Sequence, residues 1–133
     1  MKFNVTVRDV DLLFDRVEKS KMFTSKKSVS GLSVRYNGVF TIIGNPKINL
    51  IKISDTEIKA DILPSILLML ICVVCTLFFW SIAVYAIVTS KLNIPVIIFV
   101  FLLPSLIWIL QYVFHKEIAK QVKEELEKEN KKI

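Results

Sequence analysis

Polar and apolar residues follow three rhythms along this chain. Phe3, Val5 and Val7 alternate with Asn4 and Thr6, the period-two mark of a strand with one buried face. Val10, Leu13, Phe14 and Val17 then recur at helical spacing behind Asp9 and Asp11, which favour a helix start, so a helix over 9–23 is expected. The basic run Lys19, Lys21, Lys26 and Lys27 falls at its end and in the loop beyond. Alternation returns with Leu32, Val34 and Tyr36, which lead into Asn37-Gly38, and the run 39–43 leads away. Asn-Gly between such runs predicts a hairpin, because both residues accept positive φ. After Gly44-Asn45-Pro46, the runs 47–53 and 57–62 flank a second turn at Ser54-Asp55-Thr56.

The third rhythm is continuous. Residues 62–90 and 92–114 carry no charge at all, and Lys91 alone separates them. A spanning helix needs roughly 20 apolar residues to cross a hydrocarbon core of about 30 Å, and both runs are long enough. Pro64 and Pro95 suit the first turns of two helices, Asn93 suits a cap, and the turn near 89–93 is too short for anything but antiparallel neighbours. The flanking polar chain is too small to bury two such helices in a water-soluble core. The expected fold is therefore a membrane α-helical hairpin with a small amino-terminal α+β domain and a charged carboxy-terminal helix. Its parts are 1–61 as strand, helix and antiparallel strands, 62–114 as the transmembrane hairpin, and 115–133 as a helical tail continuing helix two.

Charge sets the expected orientation. Lys47, Lys52 and Lys59 precede the first span and Lys116, Lys120 and Lys123 follow the second, so both termini are expected in the cytoplasm. The first 25 residues hold no apolar signal region, Lys2 is unsuited to myristoylation, and no prenylation cysteine closes the chain, so anchorage is expected through the helices alone. Tyr85 falls near the outer interface, and Trp108 and Tyr112 near the inner one, as interfacial anchors. Trp80 lies deeper and has no role on this reading. Pro104 removes a helical N–H and frees the carbonyl of Val100, which predicts a kink, with Ser105 placed to satisfy part of the deficit. In the tail, Ile118, Val122 and Leu126 form a narrow stripe fit to rest on the amino-terminal domain or to seed a coiled coil, between pairs such as Lys120 with Glu124 and Glu124 with Lys128.

Composition agrees with these patterns: 53% of the 133 residues are hydrophobic, and 18 basic residues face 12 acidic ones. Disorder and a disulfide-stapled secreted fold are excluded by that apolar content and by only two cysteines. Cys72 and Cys75 have the spacing of a redox pair, but an apolar helix denies them the electropositive, accessible setting that thiolate chemistry needs. His115 is the sole histidine and stands at a helix exit, Gln111 lies one turn earlier, and no membrane carboxylate joins them into a relay. Asp9, Asp11 and Asp15 have a sufficient role at a helix start. With no phosphate-binding glycine loop, nucleophile elbow or metal-ligand cluster in the sequence, no enzymatic activity, cofactor or metal is expected.

Lys19, Lys21, Lys26, Lys27 and Arg35 give the domain a basic excess, most economically read as contact with anionic lipid headgroups of an inner leaflet. Nucleic acid is not an expected partner, since no aromatic residues interleave with the patch and no reader fold is evident. The leading expectation is a small non-enzymatic adaptor or accessory protein, with compact length favouring a bacterial inner membrane. Its cytosolic domain would be rigidly coupled to the hairpin and recognise a protein partner at the membrane. The rivals are a self-assembling membrane effector or small channel, which would be a homo-oligomer, and a membrane-anchored module that binds lipid or another hydrophobic ligand.

Overall fold

The computed structural model describes residues 1–28, 31–37 and 46–133. Two compact units emerge: residues 1–65 together with 116–133, and residues 66–115. The first holds β1 (Lys2–Thr6), α1 (Val10–Lys19), β2 (Phe23–Ser28), β3 (Gly31–Tyr36), β4 (Lys47–Ser54) and β5 (Glu57–Leu63), with the last turns of the long carboxy-terminal helix. Its strands form one antiparallel sheet in the order β1-β5-β4-β3-β2.

Period-two alternation gives the sheet one apolar face. Val5, Ile58, Ala60, Ile62, Ile48, Leu50, Leu32, Val34, Tyr36 and Phe23 are all buried there. Val10, Leu13 and Val17 of α1 belong to the same core, as the helical spacing requires. So do Ala119, Val122 and Leu126. Of the two roles open to the stripe in the tail, packing on the domain is the one found, and the tail supplies part of the wall of the core. Burial holds the Tyr36 hydroxyl above its ordinary pKa, with the carboxylate of Glu125 adding to the effect. Two further bonds tie α1 and its approach to the tail: Arg16 Nε lies 3.4 Å from Glu129 Oε2, and the backbone N–H of Arg8 donates to Asn130 Oδ1 at 2.9 Å. The tail's own ion pairs are Lys128 with Glu125 and Lys132 with Glu129, not those centred on Glu124, and Glu125 and Glu129 are both largely covered beside the buried stripe.

Two expected boundaries move. Helix α1 stops at Lys19, with Ser20 as its cap, four residues short of position 23. The basic segment that follows is not a loop, since Phe23–Ser28 pairs in register with β3 and forms one edge of the sheet. Lysine is a poor strand former but a common edge residue, because its charge discourages a further chain from pairing there. The expected turn at 37–38 continues into residues that, like the expected run 39–43, lie outside the described residues. The turn at Ser54-Asp55-Thr56 does join β4 to β5, with a bulge between Lys52 and Ser54.

At the start of α1, Asp9 accepts from the backbone N–H groups of Asp11 and Leu12 at 2.9 and 3.1 Å, a side-chain N-cap. Lys52 reaches across from β4 to Asp11 at 3.1 Å and Asp55 at 2.9 Å, so one cation straps the β4–β5 turn to the helix start. Its hydrogen bond with Asp55 raises the Lys52 pKa and lowers that of Asp55. A depressed carboxylate contributes stability that is present above its unfolded value, near 3.8, and lost as pH falls through the lower folded value. In Lys52→Met, acid unfolding of the full chain in detergent, followed by circular dichroism, is therefore expected to begin at a higher pH than in the unsubstituted protein. An unchanged acid midpoint would leave the strap without energetic weight.

The second unit contains α2 (Ile66–Val88) and the first part of α3 (Ile94–Lys131). Both helices are long and apolar enough to cross a membrane. Lys91 N–H bonds the carbonyl of Ala86 and Ser90 N–H that of Ile87, with Ser90 at φ 55°, so α2 ends in a Schellman motif built on serine instead of glycine. Asn93 Oδ1 accepts from Val96 N–H at 3.0 Å and caps α3, with Pro95 in its first turn. The two helices run antiparallel: Phe79 meets Phe99 edge to face at 5.3 Å, and Trp108 meets Thr76.

Candidate functional site

Two surfaces carry the residues singled out in the sequence, and they belong to different units. On the domain, alternation opposite the core leaves an open sheet face bearing Lys2, Asn4, Glu57, Lys59, Asp61, Lys47, Asn49, Ser33, Arg35, Thr24 and Lys26. Of the five cations expected at a headgroup site, only Lys26 and Arg35 stand on this face. Lys27 lies on the other face of β2 and pairs with Glu18 of α1 at 3.5 Å. Lys19 pairs with Asp15 one helical turn away at 2.7 Å, which draws the Asp15 carboxyl below its usual range. Lys21 is exposed in the turn before β2. The basic run is thus continuous in sequence but divided in space.

Sequence reasoning missed Lys47 as a site residue, because it served only as a marker of orientation. The ladder sets Lys47 directly opposite Arg35, with Thr24 opposite Arg35 on the far side and Leu63 opposite Lys47 on the near one. The β1 side of this face is arranged otherwise, with Lys2 facing Asp61 and Asn4 Nδ2 donating to Glu57 Oε1 at 3.0 Å. Strand register could have revealed Lys47 only if the pairing of β3 with β4 had been known in advance.

On the hairpin, polar side chains are spent on local bonds. The hydroxyls of Thr76, Ser81, Thr89 and Ser105 each donate to the carbonyl four residues back, at 2.8 Å in every case. Ser105 therefore serves the carbonyl of Phe101, not that of Val100 which Pro104 frees, and Pro104 lies inside α3. Trp108 Nε1–H donates to Thr76 Oγ1 at 3.0 Å, which ties its indole to the middle of α2. Gln111 Nε2 reaches Met69 Sδ at 3.5 Å, a weak bond that still gives the amide a partner.

Trp80 and Trp108 line a shared groove with Thr76, Pro104, Ser105 and Ile109, about 480 Å³ in volume. Trp80 thereby has a place that the sequence did not suggest. Tyr85 and Tyr112 are exposed.

No family model, curated protein or solved structure matches this chain. Function is accordingly argued from the geometry alone. Among the described residues no group of three or more histidine, cysteine or acidic side chains is gathered as metal ligands would be. Asp9 is engaged by the helix cap, and Asp11 and Asp55 by Lys52.

Proposed function

We propose that the protein is a membrane-anchored adaptor. On this reading the hairpin crosses the bilayer twice, the α+β domain stands on the cytoplasmic side, and the module recognises a protein partner at the membrane without chemistry of its own. The observation that carries it is the combination of hydropathy and exposure in α2 and α3. Their most apolar windows have mean hydropathies of 2.7 and 2.4, yet only 6% and 11% of those windows is buried. A core helix of a water-soluble protein with that composition would be covered, and apolar surface left in water costs roughly 25 cal/mol per Å². Lipid removes that cost.

The domain supports the topology. Residues on both sides of the hairpin, Ile62 before it and Val122 and Leu126 after it, are buried in one core. A folded domain lies on one side of a membrane, so the segment between must cross an even number of times. The lysines flanking both spans favour the cytoplasm as that side. Recognition is favoured over catalysis because the carboxylates at the start of α1 and the hydroxyls of Thr76, Ser81, Thr89 and Ser105 in the hairpin are engaged in a cap, a strap and local bonds. The groove beside Trp80 and Trp108 offers a seat for a partner's membrane helix, since close packing against small and aromatic side chains is what associates helices in lipid.

The test has two parts. In a cysteine-free background, Lys91→Cys is expected to react with an impermeant maleimide in intact cells, and Lys131→Cys only after lysis. The opposite pattern would overturn the topology. A photo-crosslinking residue at Ile109 is expected to yield an adduct with a different polypeptide after mild solubilisation. Adducts only at multiples of the chain's own mass would favour the self-assembling alternative, and no polypeptide adduct would remove the adaptor reading.

A further inference from the structure

We infer that Arg35 and Lys47, with Lys26 beside them, form a binding site for the phosphates of anionic phospholipid headgroups on the open face of the sheet. The inference rests on the membrane reading above and adds to it a ligand class and a site.

The sheet holds an arrangement that the fold itself does not favour. Arg35 on β3 and Lys47 on β4 are direct cross-strand partners, both exposed, and like charges directly opposite one another repel. Lys26 on β2 faces Ser33, two residues from Arg35 on the same face, so a third cation stands diagonally to the pair. No ion pair engages any of the three among the described residues, and the undescribed stretches 29–30 and 38–45 contain no acidic residue that could supply one. On the β5–β1 part of the same face Lys2 and Lys59 are matched in number by Asp61 and Glu57, and off that face Lys19 pairs with Asp15, Lys27 with Glu18, and Lys52 with Asp11 and Asp55. Unneutralised cationic density is thus concentrated on the β4–β3–β2 part of one face.

Position decides which anion. The row holding Arg35 and Lys47 continues to Leu63, the last residue of β5, and α2 begins at Ile66. Neighbouring strands lie about 4.8 Å apart, so Lys47 stands one strand and Arg35 two strands from the point where the chain leaves the sheet for its first apolar helix. A row that ends beside the chain's exit into a membrane helix is within reach of the headgroup layer, and long basic side chains extend toward phosphate while their stems remain on apolar surface. Arginine adds a planar fork that donates to two phosphate oxygens at once.

The test uses the full chain in mixed micelles of phosphatidylcholine and phosphatidylglycerol, with native mass spectrometry reading the retained lipid. Arg35→Gln/Lys47→Gln is expected to lower retained phosphatidylglycerol about tenfold, a screened value for the loss of two cations near an anionic surface. Lys19→Gln/Lys27→Gln removes the same charge at ion-paired positions and is expected to retain as much as the unsubstituted chain, with phosphatidylcholine equal in all three. Removing a repelling pair does not threaten the sheet, so the melting temperature of the first variant is expected at or above the unsubstituted value. Equal phosphatidylglycerol in all proteins, an equal loss in both variants, or a retained polypeptide that Arg35→Gln/Lys47→Gln releases would each overturn the proposal. Carbonate extraction separates the two ways of failing. A chain released by alkaline carbonate refutes the membrane reading, whereas a carbonate-resistant chain that keeps its phosphatidylglycerol after Arg35→Gln/Lys47→Gln refutes the headgroup site alone.

Discussion

Deleting residues 116–133 is expected to unfold the amino-terminal sheet, although the deletion touches none of its strands. Ala119, Val122 and Leu126 are buried in the same core as Leu13, Leu50 and Ile58, and Val122 and Leu126 have no exposed surface at all. Truncating one such leucine to alanine costs about 2–5 kcal/mol, through lost transfer energy and the cavity left behind. Losing the whole segment removes three buried side chains and the bonds of Glu129 and Asn130 to Arg16 and Arg8. A domain of this size has a total stability of only about 5–15 kcal/mol, so the sum of these losses reaches the margin. Leu126→Asp should approach the deletion in effect, because it buries an unpaired carboxylate where no cation waits. Lys123→Ala, on the exposed side of the same helix, is expected to change little. Hydrogen exchange of the full chain and its variants in detergent would read the outcome at the amides of β4 and β5. Native-like protection in the truncated chain would show that the tail is an appendage and would remove the main support for placing both flanks of the hairpin on one side.

That dependence also marks how far local pattern carries. Alternation placed β1, β4 and β5 and the turn between the last two, because a half-buried antiparallel strand writes its face directly into every second residue. Apolar length placed α2 and α3 for the same reason. Strand β2 escaped because its outward Thr24 and Lys26 and two of its inward residues, Ser25 and Lys27, are polar, which leaves Phe23 as the buried apolar residue that marks it. An edge strand needs few apolar residues, so its pattern merges with that of a loop. The stripe at Ile118, Val122 and Leu126 was legible as a stripe, but what it covers depends on contacts across more than fifty residues of hairpin, which no local rhythm encodes. The same limit applies to the site. Lys26 and Lys27 are adjacent in sequence and fall on opposite faces, whereas Arg35 and Lys47 are far apart in sequence and fall opposite each other.

The second large effect is expected from one methyl group. Gly31 opens β3 and pairs with Ile51 on β4. A Cβ built on Gly31 would overlap the backbone carbonyl oxygen of Leu50 and crowd the Leu50 carbonyl carbon and Ile51 Cα at 3.1 and 3.2 Å. None of these is the flexible end of a side chain. All belong to the backbone of β4, which is held on both edges by β3 and β5, so it cannot withdraw without breaking ladder bonds on one side. Two terms of opposite sign compete in Gly31→Ala. Restricting the unfolded chain favours alanine by about 0.4–1 kcal/mol, whereas forcing a group into occupied space costs about 1–3 kcal/mol even where side chains can yield. With unyielding backbone as the obstacle, the second term should win. For a domain of this size each kcal/mol shifts the melting temperature by about 4–8 °C, so a fall of roughly 10 °C is expected for Gly31→Ala, with a larger one for Gly31→Val. Ser33→Ala, on the same strand and the same face two residues on, is the control and should move the transition by less than about 0.5 kcal/mol. Thermal unfolding of the full chain in detergent, followed by circular dichroism in the strand region, measures all three. If Gly31→Ala melts with the unsubstituted protein while Ser33→Ala does too, β3 does not approach β4 as closely as this register requires. The row that brings Arg35 opposite Lys47 would then lose its footing, since it is set by the same pairing.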